Sequence, residues 1–110
     1  MENEVLSEQE FEHEADKALR ALERALGDLD GLEIDLESGI LTLEFSDGVK
    51  YIVNSHRAAR QIWVAAERSA WHFDYLTGQA RWIAKKSGEE LTSVIEAVVS
   101  RKLGRPIKLG

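Results

Sequence analysis

Eight carboxylates in the first third of this 110-residue chain have the residue type and spacing to bind cations. They are Glu12, Asp16, Glu23, Asp28, Asp30, Glu33, Asp35 and Glu37. At about 100° per residue, the first three lie on one flank of a helix. The last three alternate with apolar residues, which places them on one face of a strand. The middle two would join these groups into one acidic ridge if the strand lies at a sheet edge beside the helix.

Carboxylate oxygens are hard donors, suited to ferrous or ferric iron and to calcium, manganese or magnesium. His13, His56 and His72 are far apart in the sequence, and no di-iron Glu/His repeat is present. The pattern therefore predicts weak, exchangeable cation binding at overlapping places, together with a salt-sensitive attraction for a basic protein surface. The alternative is an ordinary solvated face whose charges protect an edge strand from aggregation.

The basic residues of the same helix, Lys17, Arg20 and Arg24, fall on its other flank. This separation predicts that the helix forgoes the stabilising pairs that opposite charges form at a spacing of four residues.

A tryptophan is the second candidate. In Gln61-Ile62-Trp63-Val64-Ala65, strand alternation puts Ile62 and Val64 on the core face and Trp63 on the other. A tryptophan exposed on a rigid sheet is a common anchor for another protein, because it offers a large apolar area at low entropy cost. The alternatives are a second layer that covers this face, or an inverted strand.

The elements that position these residues are two helices around a sheet. Both helices begin with a predicted capping box, Ser7-x-x-Glu10 and Ser87-x-x-Glu90. Apolar stripes at helical spacing follow each box, and the second stripe ends before Gly104. Asp47-Gly48 predicts a type I′ hairpin. About six strands are predicted, near residues 32–37, 40–45, 49–54, 60–65, 71–75 and 80–83, with partial burial of Trp71 and Trp82.

Short connections between these strands favour an antiparallel sheet with both helices on one face. We therefore predict one α+β domain over residues 1–110, a two-layer α–β–α sandwich. Residues 105–109 alternate enough to lay Ile107 and Leu109 between the helices, with a frayed terminus as the alternative.

Composition narrows the function classes. Zero cysteines exclude disulfides and thiolate chemistry, and no apolar run approaches a membrane span. Residues 1–47 hold 15 acidic and 3 basic residues, a net charge of −12, whereas residues 48–110 carry +6. This asymmetry favours oppositely charged protein partners and disfavours nucleic acid near the N-terminal half. The acidic N-terminus lacks targeting features, so a cytoplasmic protein without membrane association is the simplest expectation.

The order of several short motifs resembles the frataxin family, in its short bacterial, CyaY-like form. These motifs are Leu41-Thr42-x-x-Phe45 followed by Asp47-Gly48, then Asn54, then Gln61-Ile62-Trp63-x-Ala65, then His72-Phe73-Asp74. The resemblance covers nearly the whole chain and implies the same sandwich fold. It also implies iron binding, as Fe2+ or Fe3+, on the acidic ridge, and docking on a cysteine desulfurase and its iron–sulfur scaffold protein.

Carried over residue by residue, the resemblance assigns Glu23, Asp28, Asp30, Glu33, Asp35 and Glu37 to the ridge, and the helical wheel adds Glu12 and Asp16. The partner-binding set is Asn54, Gln61, Trp63 and His72. Arg24 and Gly27 stand where bacterial relatives often carry acids, which puts the iron stoichiometry in doubt. Ser55–Ala59 and Arg68–Trp71 replace a proline-containing turn and a glycine-rich one, so partner contacts near them could differ.

Three functions stay open at this point. The first is an iron-binding regulator or iron donor in iron–sulfur cluster assembly, monomeric unless iron drives oligomerisation. The second is a ferroxidase or iron store, although dispersed surface carboxylates are a poor catalytic constellation. The third is a protein-interaction module without an iron function.

Overall fold

The computed structural model describes residues 6–109, which form two α-helices and seven β-strands. Along the chain they are α1 Glu8–Leu26, β1 Leu32–Glu37, β2 Ile40–Phe45, β3 Lys50–His56, β4 Gln61–Ala66, β5 Ser69–Leu76, β6 Arg81–Ala84, β7 Glu89–Glu90 and α2 Leu91–Leu103. A 3-10 turn, Arg57–Ala59, joins β3 to β4. The strands lie in chain order in one antiparallel sheet.

The predicted α+β sandwich is confirmed, with one strand more than expected. The extra strand, β7, has only two residues, too few for a period-two pattern to show in the sequence. It pairs with β6 immediately before α2 and so extends the sheet under the second helix. Neither helix in residues 6–109 combines the length and the apolarity that a membrane span needs.

The two predicted capping boxes have different outcomes. Ser7 caps α1 as predicted: its hydroxyl accepts from the Glu10 amide at 3.1 Å, while Glu10 Oε1 accepts from the Ser7 amide at 2.9 Å. The prediction for Ser87 was wrong. Glu90 caps α2 instead, accepting from the Ser93 amide, because β7 occupies the residues that would have formed the first turn.

The turn between β2 and β3 also differs from the prediction. Gly48 has φ +88°, but Asp47 does not have the positive φ that a type I′ turn requires. The Gly48 amide donates to the Phe45 carbonyl and the Phe45 amide to the Val49 carbonyl. This is the pattern of a three-residue loop with a glycine bulge.

The core lies between the helices and one face of the sheet. Strand alternation supplies Leu41, Leu43, Val53, Ile62 and Val64, and the predicted helical stripes supply the rest. Trp82 is 6% exposed and so more buried than expected, whereas Trp71 is partly buried as predicted. No helix formed by residues 6–109 covers the opposite face of the sheet, and we call it the open face.

The last described residues pack on the core. Ile107 is buried, its amide donating to the Ser100 hydroxyl at 2.8 Å, and the partly buried Leu109 donates to Glu96 Oε2 at 2.7 Å. The segment thus runs back along α2, as the apolar alternation at 107 and 109 indicated.

Candidate functional site

The strand register places acids and partner-surface residues in one row across the open face. From the edge strand inward, the paired residues are Glu37, Ile40, Asn54, Trp63 and His72, one from each of β1 to β5. Because paired residues in adjacent strands share a face, these five side chains lie on the same side of the sheet. The row joins one predicted ridge residue to three of the four predicted partner-binding residues.

The indole ring of Trp63 is stacked between the imidazole rings of two histidines, His72 in the same row and His56 beside it. The His56 and Trp63 rings stack at a centroid distance of 3.8 Å and an angle of 21°, and Trp63 and His72 stack at 4.3 Å and 15°. The tryptophan therefore points to the open face, as predicted, but it is half-buried rather than fully exposed. Its two ring faces are covered by imidazoles, so the part that a partner can meet is the outer edge of a three-ring stack.

Hydrogen bonds fix the orientation of the indole. Trp63 Nε1 donates to Gln61 Oε1 at 2.7 Å, and Gln61 Nε2 donates to Asp74 Oδ1 at 3.2 Å. Gln61 thus connects β4 to β5 and satisfies the polar group of the tryptophan. A side chain held in this way loses little conformational entropy when a partner binds, which is the property of an interface anchor.

The acids of β1 lie at the edge of the sheet. Glu33, Asp35 and Glu37 are exposed and pair with Glu44, Thr42 and Ile40 on the open face, whereas the alternate apolar residues face the core. The strand β1 lies at the sheet edge and α1 packs beside it, which is the condition under which the acidic groups of helix and strand are neighbours.

The ridge carboxylates of the helix lie on the other layer. Exposed Glu12 and Asp16 line a cleft with Ser38 and Gly39 of the β1–β2 turn. Glu23 is half-buried farther along α1, and Asp28 and Asp30 are exposed in the connection to β1. The eight carboxylates are therefore distributed around the β1 edge, on both sides of the sheet.

Basic residues neutralise the N-terminal part of this set. Arg57 Nη1 contacts Glu12 Oε2 at 2.6 Å, and Arg57 Nε lies 3.5 Å from Glu8 Oε2. Arg20 Nε contacts Asp16 Oδ2 at 2.9 Å. The last contact is a pair at a spacing of four, so the prediction that separated flanks forgo such pairs was wrong, because the long arginine side chain reaches across the helix surface.

The other six ridge carboxylates keep their charge available. Within residues 6–109, no ion pair involves the side chain of any of them, Glu23, Asp28, Asp30, Glu33, Asp35 or Glu37. Nor do any three His, Asp or Glu side chains of these residues converge closely enough to form one metal centre. Carboxylate oxygens suit hard cations. Because these carboxylates are spread over the surface, each cation would contact one or two of them at a time rather than sit in a closed coordination shell.

Sequence reasoning missed His56, Asp74 and Arg57. Extending the third strand by two residues would have placed His56 on the same face as Asn54, two residues earlier. Asp74 stood in a recognised motif but was given no role. Nothing in the sequence indicates that Arg57 reaches α1, because that contact joins residues 45 positions apart.

Comparison with known proteins identifies the family of this chain. The family profile described as Frataxin-like domain matches residues 4–105. A protein of Thioalkalivibrio sulfidiphilus named iron-sulfur cluster assembly protein CyaY is 36% identical over 90% of this chain and 95% of its own. The protein of the same name from Pseudomonas fluorescens is 37% identical over 90% of this chain and 91% of its own.

Two solved structures share the fold. Frataxin from Psychromonas ingrahamii matches with a TM-score of 0.87 at 24% identity, covering 96% of this chain and 99% of its own. Trimeric frataxin from Saccharomyces cerevisiae, complexed with ferrous iron, matches with a TM-score of 0.66 at 24% identity, covering 94% and 91%. Because the family profile matches residues 4–105 of the 110 and bacterial relatives share more than 30% identity over most of their length, this chain belongs to the frataxin family.

Proposed function

We propose that this protein acts in iron–sulfur cluster assembly, where it binds iron on its acidic ridge and docks on the cysteine desulfurase and scaffold complex. The observation that carries the proposal is the row on the open face that runs from Glu37 to the Trp63 stack. It makes the strand part of the ridge and the tryptophan anchor one continuous surface. The names of the bacterial relatives supply the process, iron-sulfur cluster assembly.

The two ends of this surface suit two kinds of contact. The β1 carboxylates, which form no ion pair within residues 6–109, attract a basic surface over a long range. This attraction speeds encounter and falls with salt. The His56–Trp63–His72 stack offers a rigid, partly apolar contact, the kind that carries most of the energy in an interface. Iron bound at the carboxylates would neutralise charge and thereby weaken the first contact while leaving the second. Whether iron inhibits or activates cluster assembly then depends on which of the two contacts holds the complex together.

Binding rather than catalysis is the favoured role for the iron. The ridge carboxylates other than the half-buried Glu23 are exposed, and those of β1 are spread along the sheet edge, so they can hold an ion without enclosing it. Oxidation of ferrous iron would then follow from the preference of ferric iron for oxygen ligands rather than from one catalytic residue. The expectations of a cytoplasmic location and a monomer without iron stay part of the proposal.

The Trp63 anchor is tested by the variant Trp63→Ala. We expect a loss of affinity for the desulfurase–scaffold complex of about 2 kcal/mol, the scale of a central aromatic anchor. Binding is measured by calorimetry, and circular dichroism checks the fold. Ile40→Ala, which removes an exposed apolar side chain from the same row two strands away, measures the cost of losing apolar area on this face in general and should lower affinity less than Trp63→Ala. Equal affinity of wild type and Trp63→Ala would refute the anchor.

The ridge is tested by reversing Asp30, Glu33 and Asp35 to lysine. We expect the triple variant to lose both the ferrous-iron response, followed anaerobically by amide line broadening at residues 23–37, and the salt-sensitive part of complex formation. If the protein is an interaction module whose ridge serves only solubility, neither the iron response nor the salt-sensitive part of complex formation should change. Stepwise loss when the three reversals are added singly would indicate dispersed binding, whereas total loss from one would indicate a single site.

A further inference from the structure

A groove of about 370 Å³ lies on the helix layer, between α1 and the start of α2. Its apolar lining comes from Leu22 of α1, Trp82 of β6 and Leu91 of α2. The α1 wall carries Ala21 and Ala25, whose small side chains leave the space open. We call it the helix groove. It shares no residue with the acidic ridge or the open-face row.

The end of the described chain reaches this groove at Leu109. Residues 105–109 run back along α2, and Leu109 lines the groove where it begins. Ala21 is exposed, and Ala25 is partly so. An apolar wall thus stays accessible beside the packed tail.

The charged side chains that line the helix groove are Lys17, Arg24 and Arg81 against Glu14 and Glu90, a net charge of +1 in a protein whose net charge is −6. Its two acids are engaged: Glu14 contacts Lys17 at 3.3 Å and accepts from the Tyr75 hydroxyl, and Glu90 caps α2. Of its arginines, Arg81 donates to the neutral Gln79, and Arg24 forms no ion pair with any residue in 6–109. The exposed guanidinium groups of Arg24 and Arg81 therefore flank an apolar groove.

We propose that the helix groove binds an acidic amphipathic peptide segment of a partner protein. Its apolar side chains would lie against Ala21, Ala25 and the partly buried Leu109, and its carboxylates would pair with Arg24 and Arg81. Guanidinium groups suit this role because they bind carboxylates with two parallel hydrogen bonds. The inference is independent of the proposed function, because the ridge and Trp63 take no part in it.

The test is fluorescence anisotropy with a labelled peptide of about 12 residues that carries leucines at helical spacing and glutamates between them. We expect saturable binding that weakens with salt. The double variant Arg24→Glu/Arg81→Glu should lower affinity about 10-fold or more, since like charges then oppose the peptide. Ala21→Trp should also abolish binding, because it fills the groove without changing any charge.

The controls separate this site from other surfaces. Arg101→Glu makes the same kind of charge change on an exposed residue near the far end of α2 and should leave affinity within about 2-fold of wild type. Trp63→Ala should bind the peptide normally, whatever it does to complex formation. Absence of saturable binding, or binding unaffected by the groove variants, would overturn the proposal. So would sedimentation showing that a second copy of the chain occupies the groove and excludes the peptide.

Discussion

At the scale of single residues, Arg57 links the two surfaces of the proposed function. Its guanidinium pairs with Glu8 and Glu12 of α1, and its backbone follows directly after His56 of the ring stack. The same segment replaces the turn expected from the family resemblance. A cation that binds Glu12 must compete with Arg57, so this residue lowers the cation affinity of the N-terminal part of the ridge.

We therefore expect Arg57→Ala to raise ferrous-iron affinity at Glu12 by up to about 5-fold, the scale of an exposed ion pair. Anaerobic titration followed by amide line broadening of residues 8–16 measures this. Arg101→Ala is the control, because it removes one positive charge far from Glu12. If the two variants raise the affinity equally, the effect comes from net charge, and the specific competition is refuted.

At the scale of elements, the two helices start in different ways although both are preceded by the same S-x-x-E pattern. The box at Ser7 forms because Ser7 belongs to no strand pair, so its amide and hydroxyl are available to Glu10. The box at Ser87 fails because Glu89 and Glu90 pair with β6. Strand pairing thus overrides a local capping signal.

This contrast predicts that replacing serine by alanine lowers the free energy of unfolding more at position 7 than at position 87. Ser7→Ala should lower the free energy of unfolding by about 1 kcal/mol, because it removes an N-cap hydroxyl. Ser87→Ala should change it by less than about 0.5 kcal/mol, the range of ordinary surface substitutions. Urea denaturation of both variants measures the difference. An equal loss at both serines would show that the second box contributes to stability after all.

At the scale of the whole molecule, a polar cluster joins one end of the sheet to α2. The buried Tyr51 hydroxyl donates to Glu67 Oε2 at 2.9 Å, and Lys102 of α2 contacts both Glu67 and Asp47. Burial, together with the neighbouring Glu67 carboxylate, raises the pKa of Tyr51 from 10.0 to about 12. The Lys102 hydrogen bond lowers the pKa of Asp47. The cluster ties the β2–β3 and β4–β5 turns to the second helix.

The Tyr51 shift predicts how stability depends on alkaline pH. The folded state favours the protonated phenol, so its contribution is complete below pH 10 and is lost as the pH rises from 10 to about 12. Urea denaturation at stepped pH values should show this fall. Tyr51→Phe should flatten it, leaving the smaller slope due to Tyr75, whose pKa burial also raises. An unchanged slope in Tyr51→Phe would contradict the assignment.

Much of the fold follows from patterns within single elements. The alternation of apolar and other side chains along Gln61–Ala65 predicts that Trp63 lies on the face away from the core, and the helical spacing of apolar residues predicts the buried side of α1. The errors came where hydrogen bonds or side-chain reach decide. Pairing with β6 forms the two-residue strand β7 and displaces the Ser87 cap. Bonds among Phe45, Gly48 and Val49 set the glycine-bulge loop, and the Arg20 side chain reaches Asp16 across the helix surface.

The candidate site divides in the same way. Residue types and their spacing are sufficient to predict an acidic strand face, an acidic helix flank and a tryptophan on the strand face away from the core, because each depends on a repeat within one element. The position of the acidic strand at the sheet edge is decided by the strand order. Only the tertiary structure places Glu37 and Trp63 in one row, covers Trp63 with His56 and His72, and brings Arg57 to Glu12. These contacts depend on strand register and on the path of a turn, which are set by packing between residues distant in the sequence.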